Sequence, residues 1–371
     1  MPHPFLLAFD SFKETFSAPA VCTLCSSTLQ QQYPQIPVVN HPLSDGGDGF
    51  LACITTYLPG HTYHFPCRNA HNQPITAPVF FPNHMDIAII ESAQILGLAT
   101  IAPPHRNPLV TTSRGLGLVM KQLAQAGYIN QLICLGGSAT NDLGKDMLTE
   151  LGYQFIDAKG KPVQTGGIGL SHVNHIVAPH QPSKIKLTVL SDVSHPLLGI
   201  HGATRTFGPQ KGADSTMLDL LEQGMQRVAY WIRTNWSLNL DTVPGAGAAG
   251  GIGAALIGLL NGTYQAGSSW LMHVSGFYKH LEGARAVITG EGCLDESSFQ
   301  GKVVGTVVEQ ALQYEIPVYA VVGQTKLSEG DWKSKGIKQV EACYNPGILP
   351  ASQNEARHAF VRAVEKLQLG S

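Results

Sequence analysis

Charge is scarce in this 371-residue chain: 13 % of its residues are Asp, Glu, Lys or Arg, and 24 basic against 26 acidic side chains leave a net charge of −2. No global positive field gathers a phosphate-rich polymer, so nucleic acid is excluded as a first-choice partner. Cysteine is sparse as well. The seven thiols, Cys22, Cys25, Cys53, Cys67, Cys134, Cys293 and Cys343, are odd in number and scattered, unlike the framework of a secreted scaffold, and fit a reducing cytoplasm. The fifteen histidines form no HExxH or HxxxH pairing, which removes the common zinc signatures. A GxxxxGK[ST] phosphate loop is absent. The longest small-and-apolar run, 245–260, is interrupted by glycine and falls short of the ~20 residues of a membrane span. The opening residues lack a basic head and a long apolar stretch, so a soluble cytoplasmic protein without a membrane partner is expected.

What is present is apolar and glycine-rich: 43 % hydrophobic residues, 40 Gly and 23 Pro. At roughly 150 residues per domain the length implies two domains, each with a sizeable core. A strand at Phe5 to Phe9 runs into Asp10-Ser-Phe-Lys13, and Ser17 is placed to cap a helix through Gln32. A second strand at Ile36 to Asn40 breaks at Pro42-Leu-Ser-Asp-Gly-Gly-Asp-Gly49 before a helix to Leu58. Near the other end, a strand at Arg285 to Ile288, the turn Thr289-Gly-Glu-Gly292, a helix from Lys302 to Tyr314 and a strand at Pro317 to Val322 repeat the pattern. Such alternation implies a parallel sheet covered by helices, so the two ends of the chain are expected to share one doubly wound domain, residues 1–66 and 285–371, around a second α/β domain at 67–284.

Within the middle, a strand at Gln131 to Leu135 leads into Gly136-Gly-Ser-Ala-Thr-Asn-Asp142 and a helix to Leu151, and a strand at Lys186 to Leu190 ends in Ser191-Asp192. Gly245-Ala-Gly-Ala-Ala-Gly250 matches GxGxxG literally, but it follows Asp-Thr-Val-Pro rather than an apolar strand, and no acidic residue closes a second strand about twenty residues on. A nicotinamide site is therefore disfavoured. Glycine turns at strand ends still offer backbone N–H groups to anions, at the cost of being simple tight turns otherwise. Asp10, Asp45, Asp142, Asp192 and Asp295 all stand at or just beyond strand ends, where open α/β sheets bind ligands. They are candidates for holding a divalent metal or accepting a hydroxyl proton, with Asx turns and helix caps as the alternative. Lys13, Lys211 and Lys302 are the cations in comparable loops. Cys22 and Cys25 have CxxC spacing within one helix and read as half-buried thiols.

Taken in order, Asp10-Ser-Phe-Lys13, Pro42 to Gly49, Leu109-Val-Thr-Thr-Ser-Arg-Gly115, Gly136 to Asp142, Phe207-Gly-Pro-Gln-Lys-Gly-Ala213, Pro244 to Gly251 and Val287 to Gly292 resemble the type I glycerate kinase family across nearly the whole chain. That resemblance implies two α/β domains, one discontinuous and flavodoxin-like, the other mixed. It implies transfer of a phosphoryl group from ATP, with Mg²⁺, to D-glycerate, giving 2-phosphoglycerate, and it leaves a homodimer open. Carried over residue by residue, it implies catalytic roles for Asp192, Lys13 and Lys211, with Asp192 orienting or deprotonating the glycerate hydroxyl and the lysines neutralising phosphoryl oxygens. Nucleotide contacts fall to Gly136, Gly137, Ser138, Gly245, Gly247, Gly250 and Gly251, and metal contacts to Asp45 and Asp295. The chain departs from the family pattern at Ser44, Asp48, Leu143, Lys145, Ala266 and Cys293. These departures set an alternative beside the kinase: a catalytically weak paralogue that binds a sugar acid or nucleotide for regulation.

Overall fold

The computed structural model describes residues 3–12, 15–181, 183–348 and 350–370. The chain lays down strands β1 (Phe5–Phe9) and β2 (Val38–Asn40), then β3 (Gly60–Arg68), β4 (Pro74–Pro82), β5 (Ala88–Glu91), β6 (Asn130–Cys134), β7 (Gln154–Ile156), β8 (His175–Val177), β9 (Lys186–Leu190) and β10 (Thr263–Gln265). It closes with β11 (Ala286–Gly290), β12 (Cys293–Leu294), β13 (Val318–Val322), β14 (Gln324–Thr325) and β15 (Ile337–Ala342). Two compact units result: Met1–Asp45, Ala52–Tyr57 and Ala266–Ser371 form the first, Gly46–Leu51 and Leu58–Gln265 the second.

In the first unit the strands pair in the order β15-β13-β11-β1-β2, and every pairing is parallel. Counted along this unit alone, that is 2-1-3-4-5, the flavodoxin-like order, whose reversal falls between β1 and β11. All five residues of β1 are buried, as a central strand covered on both faces requires. Phe5, Leu7 and Phe9 pack with Val21, Cys22, Cys25 and Leu29 of the helix Ala18–Gln32 and with Phe360 and Val364 of the helix Gln353–Glu365. The helix Val303–Gln313 packs against β1 and β11. Cys22 and Cys25 are thus core residues, and burial pushes the Cys22 thiol up to about 12, which leaves it unreactive. Ser17 occupies the helix N-cap position without a side-chain capping bond, contrary to expectation; Pro19 sits in the first turn, where a proline removes a donor that would otherwise need satisfying.

The second unit is built on the order β10-β9-β6-β5-β4-β3. β10, β9, β6 and β5 run parallel, and β4 and β3 append an antiparallel edge. The small antiparallel pair β7 and β8 stands apart from this sheet. The unit boundaries differ from those expected of the sequence. β3 pairs with β4 over nine residues and so belongs to the second unit, while the helix Gly267–Val274 belongs to the first, with the Ser268 hydroxyl donating to the Gly301 carbonyl at 3.1 Å.

Candidate active site

In each unit the polar groups gather at the carboxyl ends of the parallel strands. In the second unit the loop Gly136 to Asp142 leaves β6 and is tied down on both sides: Leu98 N–H donates to the Gly137 carbonyl at 2.7 Å and Ala139 N–H to the Leu96 carbonyl at 2.8 Å. Its polar side chains are buried, and the Ser138 Oγ, Thr140 Oγ1 and Asn141 Oδ1 atoms have no hydrogen-bond partner among the described residues. Buried polar atoms are normally paired, so three in one loop mark a place built for water or a ligand.

Behind this loop lies a layer of buried charge. Asp142 accepts at one oxygen from the Ser113 backbone at 2.9 Å and the Ser113 hydroxyl at 2.8 Å, and at the other from Gly144 N–H at 3.1 Å. Asp146 accepts from the Thr112 hydroxyl at 2.6 Å and Gly166 N–H at 2.7 Å, and pairs with Lys145, whose ammonium also donates to the Gln164 carbonyl at 3.1 Å. Leu143, where the resemblance expects glycine, adopts φ of 57° with its side chain fully buried in the core.

Lys211, expected to meet phosphoryl oxygens, is instead 3 % exposed, and its ammonium donates to the Thr140 carbonyl at 2.7 Å. The cation braces the loop from within. Burial lowers its pKa to about 7, with Asp142 opposing the shift, and burial together with Asp146 raises Asp142 to about 6. The two shifts have opposite signs in their effect on stability. Between about pH 4 and 6 the native state holds a proton on Asp142 that the unfolded chain has released, so stability declines as pH rises. Between about pH 7 and 10 the unfolded chain holds a proton that native Lys211 has lost, so stability climbs. Because His41 and the buried thiols also titrate across this range, the Lys211 share is read as the difference in unfolding free energy between the wild-type chain and Lys211→Met. That difference should rise with pH between about pH 7 and 10, by at most about 1.4 kcal/mol per pH unit for one proton; a difference that does not change with pH would show that Lys211 does not titrate there.

The turn at Gly245 to Gly251 does not present an open row of donors. Gly247 N–H donates to the His195 carbonyl at 3.0 Å, and Leu143 N–H donates to the Gly250 carbonyl at 3.1 Å. Ala249, Gly250 and Gly251 are all left-handed, with φ of 52°, 68° and 92°. A Cβ on Gly250 would stand 2.0 Å from the Thr140 carbonyl oxygen. Its glycine is therefore required by the close passage of the β6 loop. Asp192 follows β9, where the Tyr264 hydroxyl donates to the Ser191 carbonyl at 2.7 Å and fixes the strand end.

One acid escaped the sequence reading. Glu91 ends β5 and is 1 % exposed; its carboxylate accepts from Gly49 N–H at 2.9 Å, Leu51 N–H at 2.8 Å and the Gln94 amide at 3.1 Å. It anchors Gly46–Leu51, the part of the acidic-glycine loop that belongs to the second unit. Burial raises its pKa, against the pull of those donors.

In the first unit Asp10, Asp45, Glu291 and Asp295 lie beyond the ends of β1, β2 and β11. Asp295 caps the turn Glu296–Phe299, accepting at Oδ1 from Ser297 N–H at 2.9 Å and the Ser297 hydroxyl at 2.5 Å, with Lys326 at 3.6 Å from Oδ2. Burial works against its ionisation, yet Ser297, Lys302 and Lys326 hold it below the usual carboxylate range. Lys302 donates to the Ser297 hydroxyl at 2.7 Å. Cys293 is half-buried, with Lys326 and Lys302 on one side of its charge balance and Asp295 and Glu291 on the other. Lys13 lies outside the described residues. Among those described, no group of three His, Cys, Asp or Glu side chains closes around a metal position.

Comparison with known proteins agrees with the motifs. The sequence model of the glycerate kinase family matches residues 5–368. A glycerate kinase of Bacillus cereus is 34 % identical, the match covering 95 % of this chain and 92 % of that one. A glycerate 2-kinase of Escherichia coli is 34 % identical over 90 % of this chain and 89 % of its own. The crystal structure of a protein described as glycerate kinase 2, from Salmonella typhimurium, superposes with a TM-score of 0.76 at 30 % identity, covering 98 % and 97 % of the two chains.

Proposed function

Since the chain belongs to the glycerate kinase family, we propose that it phosphorylates D-glycerate at the 2-hydroxyl, using ATP with Mg²⁺. The observation that carries the proposal is the loop Gly136 to Asp142, whose Ser138 Oγ, Thr140 Oγ1 and Asn141 Oδ1 atoms are buried without hydrogen-bond partners among the described residues. The donor set fits the groups that a kinase must hold: hydroxyls, an amide and backbone N–H groups at a strand end for phosphate oxygens, and carboxylates for a hard cation. ATP would supply the phosphoryl group, and Mg²⁺ bound with it would offset part of the negative charge that transfer must accommodate. The protein's share is positioning and electrostatics.

Asp192, at the end of β9, orients the glycerate hydroxyl and takes its proton. Lys211 holds the Thr140 carbonyl and thereby the β6 loop, a positioning role in place of direct phosphate contact. Gly136, Gly137 and Ser138 line the nucleotide's phosphates, while the turn containing Gly245, Gly247, Gly250 and Gly251 supports that loop from below. Asp45 and Asp295 face the cation and its water shell, and Lys13 neutralises the transferring group. Among the described residues no helix is long and apolar enough to cross a membrane.

The test is product identity. Incubation with ATP, Mg²⁺ and D-glycerate followed by phosphorus NMR should show 2-phosphoglycerate. The 3-isomer would overturn the regiochemistry alone, and no phosphoglycerate of either kind would favour the non-catalytic paralogue.

A further inference from the structure

We propose that Glu291 is a metal-facing carboxylate, which together with Asp45 and Asp295 holds a divalent cation directly or through the ion's water shell. The inference rests on the kinase reading and adds to it a residue that sequence reasoning treated only as part of a glycine turn.

The sheet of the first unit places it. β11 and β1 are neighbours at the point where strand order reverses, the position at which doubly wound sheets open a crevice for ligands. Asp10 N–H donates to the Gly290 carbonyl at 3.0 Å, so Asp10 and Glu291 stand side by side where the two strands end. On the other side of β1, Leu43 N–H donates to the Phe9 carbonyl at 2.8 Å, carrying the β1–β2 pairing forward to Ser44 and Asp45. Acidic side chains thus follow the ends of three adjacent strands, with Asp295 four residues beyond Glu291.

Glu291 is the member of this group whose state calls for a ligand. It is 8 % exposed, and its Oε1 has no hydrogen-bond partner among the described residues. A buried carboxylate oxygen without a partner is unfavourable unless a cation or donor meets it. The Ser298 hydroxyl meets the carboxylate and the Lys302 charge attracts it, but neither bonds Oε1: Lys302 donates to the Ser297 hydroxyl at 2.7 Å, and Lys326 stands 3.6 Å from Asp295. Asp45 and Asp295 are close enough to add repulsion, which a divalent ion would turn into attraction. Mg²⁺ keeps several waters and takes only one or two protein carboxylates. A closed nest of three side chains is therefore unnecessary, and among the described residues none is present.

The experiment uses Mn²⁺ alone, without nucleotide or glycerate, and follows the free ion by electron paramagnetic resonance as protein is added. The wild-type chain should bind Mn²⁺ saturably, and Glu291→Gln should weaken that binding at least tenfold while its unfolding temperature stays level or rises, because a buried, unmatched charge has been removed. Should Glu291→Gln fail to fold, Glu291→Asp keeps the charge with a shorter reach and should fold with weakened Mn²⁺ binding. Affinity within twofold of wild type in a folded variant, or no saturable Mn²⁺ binding by the wild-type chain, overturns the proposal. The outcome is separable from the kinase reading. An active wild-type enzyme with a metal-indifferent Glu291→Gln removes Glu291 alone. Loss of Mn²⁺ binding in that variant beside a wild-type chain that makes no phosphoglycerate removes the kinase reading alone.

Discussion

Exchanging Asp192 for asparagine should lower kcat by at least about 10²-fold, the lower edge of what a positioned general base contributes, while leaving the fold unchanged. The substitution keeps the side chain's size and removes its negative charge, and with it the capacity to accept a proton. The strand end itself is held independently, by the bond from the Tyr264 hydroxyl to the Ser191 carbonyl and by the parallel pairing of β9 with β6 and β10, so the effect should appear in kcat rather than in the unfolding temperature. Steady-state rates at saturating ATP and D-glycerate decide it. A variant that retains more than half of the wild-type kcat would place the base elsewhere.

The largest effect on stability is expected at Gly250. Alanine there brings a Cβ to 2.0 Å from the Thr140 oxygen at a φ of 68°. The left-handed backbone costs about 1–2 kcal/mol for a residue with a Cβ, and the overlap, which backbone movement alone can relieve, adds roughly 1–3 kcal/mol. Together these amount to about 2–5 kcal/mol, and at about 2–4 °C per kcal/mol for a unit of this size the unfolding temperature should fall by roughly 4–20 °C. Activity should decline with it, because the atom displaced belongs to the loop that carries Ser138, Thr140 and Asn141. Ala249→Gly makes the opposite change one residue earlier: it relieves a left-handed alanine, with φ of 52°, and should raise the unfolding temperature slightly. Equal stability of Gly250→Ala and the wild-type chain in calorimetry would contradict the close packing of the two loops.

The apolar run Phe5 to Phe9 and the strand–turn–helix alternation at both ends made the flavodoxin-like unit legible, since parallel strands buried on both faces leave a continuous hydrophobic signature. The edge of the second unit was less so. β3 and β4 together carry four prolines, which blur a strand pattern, and their pairing rather than their composition assigns them to the second sheet. Asp192 and Asp45 could be nominated from their places beyond strand ends. The burial of Lys211 could not, because its partner Thr140 lies 71 residues away and only the folded chain brings them together. The glycines of the turn Gly245 to Gly251 read as anion donors for the same reason: a close backbone approach from a distant loop leaves no local trace. Glu91 did leave one, a lone charge closing the run Ile87 to Ile90, and Glu291 was masked by the glycines on either side of it.

Whether this chain turns over is most directly measured as ADP release in the presence of ATP and Mg²⁺, with and without D-glycerate. The site described here predicts release that depends on D-glycerate and saturates with it, despite the departures at Leu143, Lys145, Ala266 and Cys293. ADP release that is absent, or that proceeds at the same rate without D-glycerate, would contradict it.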